Sequence, residues 1–526
     1  MLFNLKWLEP GSLFPPQEEM PRLTRYVQNA ALFNGDHFGD PVLRTRDGVD
    51  EIPIDVFLKC SEKISRVIGN FDEVVSFPTL LNYQRLMSLK MADLVCGEYP
   101  TISGVTAEDN AAIRSVRDFT SFDDKLYSTV LDISRYGDAI WRMYYDDAAG
   151  RDTFTCWTPT QWFPVVAQDG TNSIKQHCLA WREDRNADPG NPDWRLHVQI
   201  HGTRADEIGY YLKQEYQLNK DGRTIEKKLS SSKVPTGLDK CAVFHLKAYT
   251  VTGSVYGYDD YMNIDSIMAE IMARVGQISA ILDKHADPNI TGPVSMLELN
   301  TKTGEYVLNT GKFFAVSPGE EQPKYMTWDG QLTSAFKQLE FLVNQLYILS
   351  EMGAAILGGG DGSGTAISGT AMRFKMVNPL AKARRIANSM TRPVRYLFSS
   401  MCSEPAVPVE NISVFWSDGL PDDPRENIEN CKLATGETKM MPLETAIMEF
   451  FGRSNEEALK WIEKIHAEVQ ANIQNAQVAE GDNPSGDGTN SDDDPNKPGP
   501  QDGTGVNPMK KGSTTGLNDF HGLQNK

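Results

Sequence analysis

Cysteine is scarce in this sequence and shows no pairing pattern. Seven residues, at positions 60, 96, 156, 178, 241, 402 and 431, are scattered over 526 without one C-x-x-C spacing. An odd and dispersed set excludes a disulfide framework and a zinc ribbon, and reads as free buried thiols in a reducing compartment. Long apolar runs are missing as well, since no stretch reaches the ~18 residues needed to span a bilayer. The first twenty residues hold Pro10, Pro15 and Pro16 and have no basic flank before an apolar run, which excludes a secretory leader. The expectation is a soluble protein made inside a cell. Positive charge is in deficit: 52 Lys and Arg stand against 71 Asp and Glu, a formal −19. A module that reads DNA shows a dominant basic face, so that class is excluded. A duplex sliding along an acidic wall is not, because such a wall repels phosphates instead of holding them.

Hydrophobic residues make up 40% of the chain, enough for true cores, and the length predicts about three or four domains. The fold class expected is α+β, mainly helical. Residues 56–116 carry a mostly helical pattern, with Leu86, Leu89 and Leu94 leading into Gly97-Glu98-Tyr99-Pro100. Residues 132–201 turn strand-like: Trp141, Met143 and Tyr145 alternate with Arg142 and Tyr144, and Asp169-Gly170 marks a turn. A long helix is predicted over 258–286. Its stripe of Tyr261, Ile264, Met268, Ile271, Val275, Ile278 and Leu282 steps by three and four, the 3.5-residue period of helices packed along their length. Residues 287–329 hold short strand-like pieces with turns at Thr303-Gly304 and Pro318-Gly319. A second helix is predicted over 330–357, on Leu332, Phe336, Leu339, Val343 and Leu346. Its only charges are Lys337, Glu340 and Glu351. A helix so poor in charge needs cover on more than one side, which lateral neighbours in a ring would supply.

A glycine-dense stretch follows: Gly358, Gly359, Gly360, Asp361, Gly362, Ser363, Gly364 and Thr365. It lacks what a nucleotide site requires. Thr370 stands where a P-loop has its lysine, Ile367 where G-x-G-x-x-G has its third glycine, and a helix, not a strand, precedes it. A plain linker and a functional mobile loop both remain open. The S-x-x-K pairs Ser230/Lys233 and Ser334/Lys337, with Lys302-Thr303-Gly304, come without S-D-N and in the wrong order for an acylating enzyme. His197 and His201 sit on one strand face without a third ligand in reach, and read as a half-buried sheet pair and not as a metal site. No catalytic residue, metal or cofactor is assigned.

The helix beyond the loop carries Arg373, Lys375, Lys382, Arg384, Arg385, Arg392 and Arg395, with no acidic residue from 362 to 403. Kinks are expected at Pro379 and Pro393. Two readings of this basic helix stay open: contact with DNA phosphates, or salt bridges to acidic neighbours within or between subunits. After a short strand at Val414-Phe415-Trp416 and the breaker Leu420-Pro421, further helices are expected, the last opened by a Ser454/Glu457 capping box. Beyond about residue 476 the composition collapses into Gly, Asp, Asn, Pro and Ser, a tail expected to be disordered.

Five segments in order resemble the portal proteins of tailed bacteriophages, over roughly residues 80–470. They are Leu89-Lys90-Met91-Ala92-Asp93 through Pro100; Tyr136-Gly137-Asp138-Ala139-Ile140-Trp141-Arg142; Gly257-Tyr258-Asp259-Asp260; Ser368-Gly369-Thr370-Ala371-Met372-Arg373-Phe374-Lys375, the most specific; and Leu433 through Pro442-Leu443-Glu444-Thr445-Ala446. Met441-Pro442 departs from the family's usual Ile-Ser.

The resemblance implies a ring, commonly of twelve copies, at one capsid vertex, through which double-stranded DNA is packaged and ejected. It implies a wing at 1–257, a first stem helix at 258–286, a clip at 287–329 and a second stem helix at 330–357. A tunnel loop facing DNA at 358–368, a kinked wing helix and strand at 369–424 and a helical crown at 425–476 complete it, ahead of the acidic tail at 477–526. Lys302, Lys312 and Lys324 become clip contacts. The implied partners are the large terminase, a head–tail adaptor, and the major capsid and scaffolding proteins, with no membrane. The implied location is the virion, after assembly in a host cytoplasm. The competing readings are a nucleotide-dependent transferase using the glycine loop and a protein-only scaffold or adaptor.

Overall fold

The computed structural model describes residues 1–37, 80–186, 190–249, 251–286, 332–357, 373–402, 405–417, 424–436, 440–453 and 455–480, with short pieces between 290 and 325. The chain divides into two compact units, residues 1–455 and 456–526. In the second, the described part is the bulk of one helix.

In chain order the first unit opens with α1 (Met20–Asn34), α2 (Tyr83–Cys96), β1 (Thr101–Ser103), α3 (Ala107–Thr120) and α4 (Phe122–Tyr136). Local chemistry starts these helices. Asn82 accepts from the Arg85 amide at 2.9 Å ahead of α2. A reciprocal pair between Thr106 and Asp109 caps α3, with amide contacts of 3.1 and 3.2 Å. Helix α4 runs to Tyr136, so the strand pattern expected from residue 132 begins only after Gly137. That glycine ends the helix at φ +82°, where a residue with a Cβ is strained.

Strands β2 (Asp138–Asp146) and β3 (Arg151–Trp157) form a hairpin. Next come β4 (Trp162–Val166), β5 (Ile174–Asp184), β6 (Trp194–Gly202), β7 (Tyr210–Leu218), β8 (Ile225–Pro235) and β9 (Val243–Lys247). Strands β4 to β8 make an antiparallel sheet in sequence order, while β9 returns to pair with β2 in a β3-β2-β9 sheet. One face of the five-stranded sheet, with Cys178, Ala180, Leu196, Val198 and Ile200, is covered by Trp7, Leu8, Phe14, Leu23 and Val27 from the N-terminal segment. The other packs Trp162, Val166 and Leu179 against Ile140 and Val243.

Helix α5 is Asp265–Ala286 and α6 is Leu332–Leu349. Both are shorter than the sequence pattern implied. Residues 259–264 are turns, because the Asp259 carboxylate accepts the amides of Tyr261 and Met262 at 3.0 Å each and holds the chain out of a helix. The second helix breaks after Leu349: Glu351 (φ +59°) and Gly353 (φ +70°) are left-handed, and a short α7 (Gly353–Leu357) follows. Between α5 and α6 two antiparallel pairings are described, β10 (Ile290–Thr291) with β13 (Lys324–Tyr325) and β11 (Leu297–Leu299) with β12 (Tyr306–Leu308).

Helix α8 (Val377–Met401) runs unbroken across both prolines. Pro379 lies in its first turn, where no amide is needed; Pro393 is interior. Its apolar side, Ile386, Met390, Val394, Leu397 and Phe398, belongs to the largest core, together with Tyr261, Met268, Ile271 and Leu346. Phe398 meets Phe122 edge-on with ring centroids 5.0 Å apart, and Trp141 packs on Phe154 at 5.2 Å. A short β14 (Ser413–Phe415) pairs antiparallel with β1, Ile102 opposite Val414. Helices α9 (Pro424–Thr435) and α10 (Leu443–Phe451) follow and pack on each other, then α11 (Asn455–Glu480), which extends past the residue where the composition collapses. Ser454, half of the expected capping box, and residues 481–526 lie outside the described residues.

Candidate functional site: a buried polar joint at the head of α5

Two of the five segments singled out by sequence meet in space. Gly137-Asp138, where α4 passes into β2, lies against Gly257-Tyr258, which leads into α5. The two backbones approach so closely that a Cβ on Gly257 would stand 2.0 Å from the Gly137 carbonyl oxygen. Asp138 is fully buried. Its carboxylate accepts from the Gly257 amide at 2.9 Å, from His245 Nε2 at 2.5 Å and from the Tyr26 hydroxyl. Burial opposes its ionisation, yet the facing His245 and these donors outweigh that and hold its pKa below the ordinary carboxylate value. The His245 ring packs on Trp162 at a centroid distance of 4.3 Å, and Trp162 Nε1 donates to His177 Nδ1 at 3.1 Å.

Helix α1 supplies the cations. Arg25 reaches Asp259 at 2.8 Å and Asp265 at 2.7 Å, so one guanidinium ties α1 to both ends of the turn before α5. Gln84 Nε2 of α2 donates to the second oxygen of Asp265 at 3.2 Å. Burial pushes the Asp265 carboxyl up, against the pull of Arg25. Arg22 binds Glu19 at 2.8 Å and the carbonyls of Pro159 and Trp162 at 3.0 and 2.8 Å. Tyr256 donates to Glu19 at 2.6 Å.

Asp260 closes the joint from the other side. It accepts from Ser134 Oγ of α4 at 2.6 Å and pairs with Lys382 Nζ of α8 at 2.8 Å. Lys382 also donates to the Ser350 carbonyl, just past α6, at 3.0 Å. One buried ammonium thus gathers the approach to α5, the segment just past α6 and the second turn of α8. Tyr261 and Ser134 both hydrogen-bond the Ser88 hydroxyl of α2, at 2.7 and 2.9 Å.

For the basic helix, then, Lys382 and Arg385 find acidic neighbours within the same chain. Lys382 has Asp260, and Arg385 has Glu351 at 2.6 Å on the surface. Arg395 donates twice to the Val409 carbonyl, at 3.1 and 2.7 Å, and Arg392 lies over the Tyr396 ring at 5.3 Å. Arg384, Arg373 and Lys375 are exposed. Gly358 through Thr365 lie outside the described residues, as does Lys312, while Lys302 sits in an exposed turn and Lys324 in β13.

His197 pairs with Glu183 at 2.8 Å, and the buried His201 ring stacks on Tyr211 at 4.9 Å. Among the described residues no group of three or more metal-ligating side chains occurs. Ser230 and Lys233 lie in β8, with the Lys233 Nζ over the Tyr210 ring; Ser334 and Lys337 are exposed on α6. The six described cysteines are free, and burial pushes the Cys96 thiol up to about 12 and those of Cys156, Cys241 and Cys402 to about 11. A thiol so raised is a poor nucleophile. Among the described residues no helix is long and apolar enough to cross a membrane.

The joint is built to fix geometry, since its carboxylates are engaged by cations and amides from five elements. Sequence reading flagged Gly137, Asp138 and Gly257–Asp260 but missed Tyr26, Arg25, Gln84 and His245. An aspartate directly after Gly137 and ahead of the apolar run Ala139-Ile140-Trp141 was the signal that called for such partners.

No family model matches the chain, and no curated protein matches it. Solved structures do show likeness. A chain from the neck of a native gene transfer agent particle computed with C12 symmetry aligns at 10% identity and TM-score 0.40, over 70% of this chain and 89% of its own. A chain of the native gene transfer agent virion aligns at 12% and 0.41, over 81% and 98%. One from the neck of an empty particle computed with C6 symmetry aligns at 13% and 0.42, over 76% and 93%.

Proposed function

We propose that this chain is a portal-type subunit: a non-enzymatic protein that associates laterally into a ring, lines a channel for double-stranded DNA at a capsid vertex, and docks a packaging terminase and later head–tail adaptors. In this reading α5 and α6 are the stem, the segment between them the clip, residues 1–257 and α8 the wing, and the helices after residue 424 the crown. The glycine stretch 358–368 would face the DNA. The observation that carries it is the outer side of α6. Leu339, Leu342, Val343 and Leu346 face the core, yet Phe336, Phe341 and Ile348 remain 50%, 60% and 64% exposed on a helix with almost no charge. Phe341 and Ile348, seven residues apart and so on one side of the helix, mark an interaction surface, and the joint at Asp138, Asp260 and Lys382 fixes the angle at which the helix presents it.

The order of the five sequence segments, two of which meet at Gly137 and Gly257, supports the same reading. The expected observation is annular particles with a central hole in negatively stained purified protein. A solitary chain at high concentration overturns the ring, and ATP turnover by that chain would favour the transferase.

A further inference from the structure

The five-stranded sheet carries an open cleft that the portal reading does not use. Its volume is about 750 Å³, and Trp181, Glu183, Asp184, His197, Gln199 and Lys213 are among the residues lining it. By register, His197 lies opposite Trp181 and Lys213 opposite Gln199, so three adjacent strands bring these side chains to one sheet face. The Trp181 and His197 rings stack with centroids 5.3 Å apart at 24°, and Trp157 packs edge-on behind Trp181 at 5.5 Å. The His197 ring is held by Glu183 at 2.8 Å. The result is a fixed, half-buried aromatic stack in the cleft wall. Beside it Gln199 is 94% buried, and among the described residues its Oε1 has no hydrogen-bond donor. A buried amide oxygen left unpaired is costly, and in a cleft of this size a ligand's donor can satisfy it.

We propose that this cleft binds a sugar ring, one pyranose unit of a glycan. The chemistry selects it by elimination. A purely apolar ligand would leave Gln199 Oε1 unpaired, and the lining carries both signs, Arg182 and Lys213 with Glu183 and Asp184, so a ligand of either net charge gains nothing over a neutral one. A pyranose offers C–H groups to pack against the Trp181 and His197 stack and hydroxyls that donate to Gln199 and the carboxylates while accepting from Lys213.

The test uses the full chain, whatever its state of assembly, with maltotetraose and chitotetraose as probes in saturation-transfer NMR and tryptophan fluorescence. The expected result is saturable binding of at least one at millimolar concentration or below, with transfer strongest to ring C–H protons. Trp181→Ala weakens that binding at least tenfold. Gln199→Met, which keeps the length and removes the acceptor, weakens it about tenfold while the unfolding midpoint holds or rises. Absence of saturable binding by either saccharide, or equal binding by the Gln199→Met chain, overturns the proposal. So does a proline-rich peptide that binds the same cleft where both sugars fail.

Discussion

Gly257 crosses Gly137 with no room for a methyl group on either. A Cβ on Gly257 would lie 2.0 Å from the Gly137 carbonyl oxygen, and one on Gly137 would lie 2.8 Å from the Gly257 and Tyr258 backbone. Backbone, unlike a flexible side chain, cannot step aside. Gly257→Ala is therefore expected to force the two chain segments apart, lengthen the amide contact to Asp138 and cost about 3 kcal/mol or more. Urea unfolding of the variant against the parent chain measures it, and an unchanged midpoint would contradict the geometry.

The buried pair of Lys382 and Asp260 makes a sharper case than the exposed pair of Arg385 and Glu351. Removing one partner of a buried pair strands the other charge, so Lys382→Met and Asp260→Asn are each expected to cost about 3–5 kcal/mol. The double variant should recover part of that loss, since no lone charge remains. Arg385→Ala should cost under about 1 kcal/mol, because both it and Glu351 are solvated. A double-mutant cycle in urea checks all of these together.

The periodic parts of the fold were legible in the sequence: the stripes of α5 and α6, the alternation in β2 and the basic run of α8. Their limits were not. Helix α5 starts at Asp265 and not at 258 because Asp259 caps a turn, and α6 stops at Leu349 where Glu351 turns left-handed; both depend on single residues. The pairing of β1 with β14 joins three-residue strands from distant parts of the chain, too short to leave a period. The polar joint was half legible. Glycine and aspartate flagged one side, but Arg25 and His245 are ordinary polar residues until the fold sets them against Asp259 and Asp138. For the basic helix, a charge count showed the surplus of cations; only the packing of α8 on Asp260 showed where Lys382 goes.

Acidification should destabilise the five-stranded sheet region well before its carboxylates titrate. Burial holds His177 and His201 neutral, with pKa values lowered from 6.5 to about 3. Below about pH 6.5 the unfolded chain takes up protons that the native state refuses. Stability is therefore fully present above that value and falls as pH drops towards about 3. Each histidine contributes up to about 1.4 kcal/mol per pH unit. His201→Phe keeps a flat ring against Tyr211 and removes one titrating group, so it is expected to flatten the decline in unfolding midpoint between pH 6.5 and 5. His177→Phe tests the same slope less cleanly, because Trp162 Nε1 would lose its acceptor. An identical slope in the His201→Phe chain would show that the native state does protonate this ring.

The outer side of α6 decides whether lateral association is real. Phe341 and Ile348 point away from the core that Leu342, Val343 and Leu346 join, so a charge there has little to disturb within the subunit. At concentrations low enough to dissociate the parent, Phe341→Glu and Ile348→Glu should each leave the unfolding free energy within about 0.5 kcal/mol of it, as for other surface changes. At an apolar interface the same carboxylates would be buried without partners, a cost large enough to abolish assembly. Sedimentation velocity across a range of concentrations separates the two effects: the parent chain should run as a large, discrete particle and both variants as single folded subunits. If the parent and the variants sediment alike, α6 is not the surface through which copies meet. The low charge of this helix would then need another explanation, such as cover by a different protein.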